Sequence, residues 1–116
     1  MSERNHKLYI RDILDSSRKI MDYAKDTSFK DFSKNQMLID AVVRNLEIIG
    51  EASKNIPDEV KQKYPQIDWR KIAGLRDIVV HKYFSIDNEI LWDIIKNNIP
   101  DLASKIEILL KEEMKK

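Results

Sequence analysis

The sequence lacks several residue types and patterns, and each absence narrows the possible class of protein. It has no cysteine, which excludes a disulfide framework and any thiolate metal site. No stretch approaches the roughly 18 consecutive apolar residues that a membrane span needs. The charged N-terminus does not have the pattern of a signal peptide. We therefore expect a cytoplasmic protein without a membrane partner.

An excess of one charge is also missing. The 21 basic and 20 acidic residues give a formal net charge of +1. The chain as a whole is therefore not a basic nucleic-acid-binding protein, and any contact with RNA would need a local patch. The 116 residues, 42% of them hydrophobic, are enough for one domain with a modest core, which we place over residues 1–116.

Glycine and proline are scarce, at two and three residues, and the apolar residues follow helical spacing. Both features predict an all-α domain, an up-down bundle of four or five helices. The predicted helices span about 4–25, 34–54, 57–63, 69–81 and 88–113. The stretch 27–33 is predicted to be a connection, Asp68 and Asp87 are predicted N-caps, and Pro100 should kink or split the last helix.

A polar set stands inside the apolar stretch LRDIVVHKYF, residues 75–84. Arg76 carries a permanent charge on a planar fork that matches phosphate, and His81 can exchange a proton near neutral pH. Together they could cleave RNA without a metal, with His81 as general acid or base on the reacting oxygens. Asp77 could hold the imidazole tautomer, and Tyr83 could donate a hydrogen bond or accept a modification.

Neither the helical geometry nor the residue types establish that Arg76 and His81 act together in catalysis. Arg76 and His81 project about 140° apart on an ideal helix, so they do not converge by stacking. Convergence needs either a helix end near His81 or the same residues from a symmetric second copy. The same Arg and His would also suit a helix C-terminus without any catalytic role, and a tyrosine such as Tyr83 is usually a core residue.

Three segments together point to a known family. They are RNLEIIGEASKNIP (44–57), YPQIDWRKIAGLRDIVVHKYFSID (64–87) and LWDIIKNNIPDL (91–102). Over about residues 5–110 the chain resembles the HepT-like family of the HEPN superfamily, whose motif is R-x4-H-x-Y. The resemblance implies a homodimeric helical bundle that acts as the toxin of a prokaryotic toxin–antitoxin pair and cuts RNA without a metal.

The resemblance also assigns roles to single residues. Arg76 and His81 match the catalytic pair, and Asp77 stands where a polar residue follows the arginine. Tyr83 matches the tyrosine to which the antitoxin, a minimal nucleotidyltransferase called MntA, attaches AMP. An adenylyl group there would add bulk and negative charge beside Arg76 and compete with the RNA phosphate.

The resemblance implies that the two copies of the motif in such a dimer face one cleft, and other polar residues are candidates for lining it. Asn45 projects into the apolar stripe of its helix, where it either lines the cleft or bonds to backbone. Arg44 and Asp40, four residues apart, are expected to form a solvated ion pair, although the resemblance places the Arg44 segment near the motif helix and so makes it a second candidate. Arg70 with Lys71 could extend an RNA-binding surface. His6 is expected to be exposed.

Two alternative functions stay open at this stage. Neither glycine opens a phosphate-binding loop and no zinc motif is present, so we expect no metal and no cofactor. The polar cleft could belong to a non-catalytic subunit that holds a nucleotide or substrate for a nucleotidyltransferase. Alternatively, the chain could be a plain helical dimerisation module in which Arg76 is a structural cap.

Overall fold

The computed structural model of the chain describes residues 5–82 and 87–115, without the side chains of residues 78–82. All regular structure in these ranges is helical, which confirms the predicted all-α class. The helices are α1 (His6–Ala24), α2 (Phe29–Lys34), α3 (Gln36–Lys54), α4 (Asp58–Lys63), α5 (Trp69–Lys82), α6 (Asn88–Asp93) and α7 (Ile99–Met114). A π-helical turn, Ile94–Asn98, joins α6 to α7.

The two predicted N-caps are confirmed. The Asp68 carboxylate accepts a hydrogen bond from the backbone N–H of Lys71 at 3.0 Å. The Asp87 carboxylate accepts one from the N–H of Glu89 at 2.7 Å. Each aspartate satisfies a backbone donor that the first helical turn leaves without a partner, and so it fixes where its helix begins.

One predicted connection was wrong, and the predicted split of the last helix was refined. The predicted connection 27–33 contains α2, because the Ser28 hydroxyl caps it by accepting from the N–H of Asp31 at 3.1 Å. Phe32 then anchors α2, since it is fully buried with its ring centroid 5.1 Å from that of Trp92. The last helix is split as expected near Pro100, but the break is the π-helical turn that precedes it.

The long helices α1 and α3 pack against each other at the centre of the bundle. α5 packs on α3, and α7 packs on α1. Their apolar side chains form one core, and its largest fully buried members are Phe32, Ile10, Ile13, Ile20, Leu46, Ile49, Leu91, Ile95, Ile99, Ile106 and Leu109. Because α1 and α5 both pack against α3, one edge of α3 lies between them. The polar residues of the candidate site lie along that edge.

A buried carboxylate joins the two ends of the described chain. Glu113 is 2% exposed, and it accepts hydrogen bonds from the Tyr64 hydroxyl at 2.8 Å and pairs with His6 at 3.0 Å. The expectation that His6 is simply exposed was therefore wrong. Burying a carboxylate is unfavourable unless it has hydrogen-bonding or charged partners. The helical periodicity of the sequence does not indicate which residues those partners are. Among the described residues, no helix is both long and apolar enough to cross a membrane.

Candidate active site

Gly50 determines how closely α5 approaches α3. An ideal Cβ built on Gly50 would lie 2.8 Å from the backbone nitrogen of Arg76 and 3.0 Å from its Cα. Real Cβ atoms do not come so close, so only glycine permits this crossing. The IGEA segment therefore brings the backbone of Arg76 directly against α3. In contrast, a Cβ on Gly74 would meet nothing within 4 Å.

Four charged side chains surround this crossing, two from each helix, and we call them the Arg76 cluster: Glu51, Lys54, Arg76 and Asp77. The Arg76 Nε lies 2.9 Å from a Glu51 carboxylate oxygen. Its Nη1 lies 3.6 Å from the Asp77 carboxylate, which in turn lies 3.3 Å from the Lys54 Nζ. The four charges alternate along one chain of contacts and sum to zero.

The cluster fixes the orientation of Arg76 without enclosing it. Its side chain is 36% exposed, and that of Glu51 is 59% exposed. Ion pairs this exposed contribute only about 0–1 kcal/mol of stability each. Their effect is mainly geometric, since a carboxylate on Nε occupies one edge of the guanidinium and leaves further N–H donors of the two Nη atoms for another anion.

Asp77 has two ion-pair contacts within the cluster, and its role beside His81 stays a prediction. Its carboxylate pairs with Lys54 and Arg76. The imidazole of His81, which Asp77 could have oriented, lies outside the described residues. The same is true of Tyr83 as a whole. α5 nevertheless runs unbroken through the backbone of His81 to Lys82, so Arg76 and His81 belong to one continuous helix. Their backbone positions are therefore about 140° apart around that helix.

A groove extends from Arg76 along α3 and under α1. We call it the Arg76 groove; it has a volume of about 390 Å³ and is lined by residues that include Tyr9, Asp12, Arg44, Glu51 and Arg76. Arg44 thus lines the same groove as Arg76, and its role there stays a prediction.

The other cleft candidates lie elsewhere. Asn45 is buried, and its side-chain amide donates to the carbonyl of Ala41 at 2.8 Å, which is the structural alternative considered for it. Arg70 is exposed on the first turn of α5. Lys71 lines a different depression, between α5 and the start of α7, with a volume of about 350 Å³. Neither Arg70 nor Lys71 lines the Arg76 groove, and their part in an RNA-binding surface stays a prediction.

Sequence reasoning missed Glu51 and Lys54 as members of the site. They lie three residues apart on α3, a spacing that puts two side chains on one helix face. The glycine before Glu51 was the available signal, because a glycine inside a helix often marks a close backbone approach. In the described part of the chain, no group of three or more histidine or acidic side chains is arranged to hold a metal ion.

Comparisons with known proteins identify the family of the chain. Residues 13–109 match the family model described as ribonuclease HepT-like. The chain is 41% identical over 109 residues to a "Putative RNase" of Methanocaldococcus jannaschii, covering 94% of this chain and 100% of the relative. It is 43% identical over 109 residues to the "Probable ribonuclease HepT" of Thermococcus cleftensis, covering 94% and 99%. No solved structure matches the chain significantly. With nearly its full length matched, the chain belongs to the ribonuclease HepT-like family.

Proposed function

We propose that this protein is a metal-independent endoribonuclease and the toxin of a prokaryotic toxin–antitoxin pair. The observation that carries the proposal is Arg76, held at the α3–α5 crossing by Glu51 at 2.9 Å, within the R-x4-H-x-Y motif of a ribonuclease HepT-like chain. Relatives named as RNases support the RNA substrate. We expect the protein to act in the cytoplasm, where RNA and the antitoxin partner are made.

In the proposed reaction the RNA 2′-OH is the nucleophile. Its oxygen bonds to the adjacent phosphorus, its proton passes to a His81 imidazole, and the bond from phosphorus to the 5′-oxygen breaks. A protonated imidazole gives the leaving oxygen its proton. Arg76 stabilises the charge that develops on the phosphate oxygens. The products are a 2′,3′-cyclic phosphate and a 5′-hydroxyl end.

Two histidines are needed if one takes a proton while another gives one. Because Arg76 and His81 diverge on one helix, we propose a homodimer in which two copies of α5 face one cleft. Tyr83 is then the proposed AMP acceptor. A minimal nucleotidyltransferase of the MntA type would attach AMP to it and so block the cleft with bulk and negative charge.

The decisive experiment is cleavage of a labelled RNA by the purified protein in EDTA. We expect 2′,3′-cyclic phosphate and 5′-hydroxyl ends, lost in both Arg76→Ala and His81→Ala and retained in Tyr83→Phe. Co-expression with the nucleotidyltransferase should add AMP to the wild-type chain and not to Tyr83→Phe. If the wild-type chain binds nucleotide but cuts no RNA, the protein is instead a non-catalytic subunit of the nucleotidyltransferase complex.

A further inference from the structure

The Arg76 groove continues well beyond the guanidinium of Arg76, and this extension has no role in the reaction described above. We propose that it binds the nucleotide next to the scissile phosphate, with Arg44 on the flanking phosphate and Tyr9 against the base. This inference rests on the proposed ribonuclease activity and adds a substrate subsite to it.

The spacing of the two arginines supports a subsite of this size. Arg44 and Glu51 are seven residues apart on α3, which is two turns and about 10 Å along one helix face. Glu51 holds Arg76 at 2.9 Å, so the guanidinium of Arg76 lies at the far end of the same face. Both arginines line the groove, and one nucleotide can occupy the space between them.

Arg44 is available to a ligand. Its side chain is 71% exposed, and its ion pair with Glu47, one turn along α3, is long at 3.8 Å. An exposed pair of this kind holds a long side chain only weakly. A phosphate in the groove offers a closer anionic partner, and arginine binds phosphate through its planar fork.

The charges of the groove favour one nucleotide over a long phosphate track. Its two arginines share the lining with three carboxylates, those of Asp12, Glu47 and Glu51. A backbone carrying many phosphates would be repelled by this excess of negative charge. A single nucleotide instead presents hydrogen-bond donors, which are the 2′-hydroxyl and the exocyclic amines of its base. Carboxylates can accept hydrogen bonds from these groups.

The groove is also lined by an aromatic residue, on which a base can stack. Tyr9 comes from α1, is partly buried against the core, and faces the groove together with Ile48 of α3. Single-stranded RNA is commonly held by stacking of its bases on aromatic rings, which any base can do. The groove thus combines a cation for phosphate, an aromatic surface for a base and acceptors for ribose or amine donors.

The test compares RNA substrates of different lengths. Binding is measured by fluorescence anisotropy with labelled oligonucleotides that carry a 2′-O-methyl group at the cleavage position, which removes the nucleophile. A dinucleotide has the scissile phosphate alone, and trinucleotides add one phosphate on either the 5′ or the 3′ side. We expect Arg44→Gln to weaken binding of one trinucleotide about tenfold, the loss of one charge-assisted contact, and to leave dinucleotide binding unchanged. Tyr9→Leu should weaken the same trinucleotide.

The control is Arg11→Gln, which removes the same charge from an exposed position of α1 outside this groove. It should leave both ligands unaffected. Equal weakening of dinucleotide and trinucleotide by Arg44→Gln, or none, would overturn the subsite. A change of oligomeric state in Arg44→Gln, seen by light scattering, would mean that a second copy covers the groove instead.

Cleavage of unmodified RNA by the wild-type chain is scored separately. Failure of the proposed ribonuclease activity, with length-dependent binding intact, is therefore distinguishable from failure of the subsite.

Discussion

Replacing Gly50 by alanine should destabilise the α3–α5 crossing and displace Arg76. The added Cβ would lie 2.8 Å from the Arg76 nitrogen and 3.0 Å from its Cα, about 1 Å inside ordinary contact. Backbone atoms cannot rotate away, so α5 must shift, and overpacking of this kind typically costs about 1–3 kcal/mol. The higher helix propensity of alanine offsets up to about 1 kcal/mol of this cost.

Gly74→Ala is the matched control, because it makes the same chemical change on α5 where a Cβ meets nothing within 4 Å. It should gain stability by up to about 1 kcal/mol. The difference between the two variants removes the propensity contribution and should be about 1–3 kcal/mol in the free energy of unfolding. Urea denaturation followed by circular dichroism measures it, and the melting temperatures should differ by roughly 4 °C per kcal/mol. Equal stabilities in the two variants would refute the close approach.

Three further changes test separate parts of the structure. Tyr64→Phe removes a hydrogen bond to the buried Glu113 and should lower the free energy of unfolding by about 1–3 kcal/mol in urea titrations; an unchanged midpoint would contradict the buried pairing. Phe32→Ala should cost about 3–5 kcal/mol, measured by thermal melting, because α2 loses its buried anchor. Glu51→Ala should change stability by less than about 1 kcal/mol. It should nevertheless slow RNA cleavage about tenfold, with partial recovery in Glu51→Gln, because Arg76 loses the partner of its Nε. A normal rate in Glu51→Ala would argue against positioning.

Periodicity and caps were sufficient to predict most of the fold. The apolar spacing located the long helices, and Asp68 and Asp87 marked helix starts because their carboxylates satisfy specific backbone donors. α2 was missed because a six-residue helix shows too few turns for a period to appear. Its stability comes from Phe32 packing against Trp92, a contact distant in sequence that no local pattern contains.

The site was predictable only where the sequence carries a motif. R-x4-H-x-Y selected Arg76, and the structure adds that Arg44 lines the same groove. The partners of Arg76 depend on how α5 lies across α3, which a helical projection of either helix alone does not give. Arg70 and Lys71 are close to Arg76 in sequence, yet neither of them lines the Arg76 groove.

The balance of charge around Arg76 bears on how an RNA phosphate would be bound. In the Arg76 cluster each cation already contacts a carboxylate, so the cluster has no net attraction for an anion at long range. A phosphate would gain only at short range, where the fork of Arg76 can form directed hydrogen bonds that replace its long 3.6 Å contact with Asp77. Binding of this kind depends on correct placement of the substrate more than on charge. Contacts outside the cluster, such as those proposed for Arg44 and Tyr9, would then supply the placement, and RNA held without them should be cut poorly even though Arg76 is present.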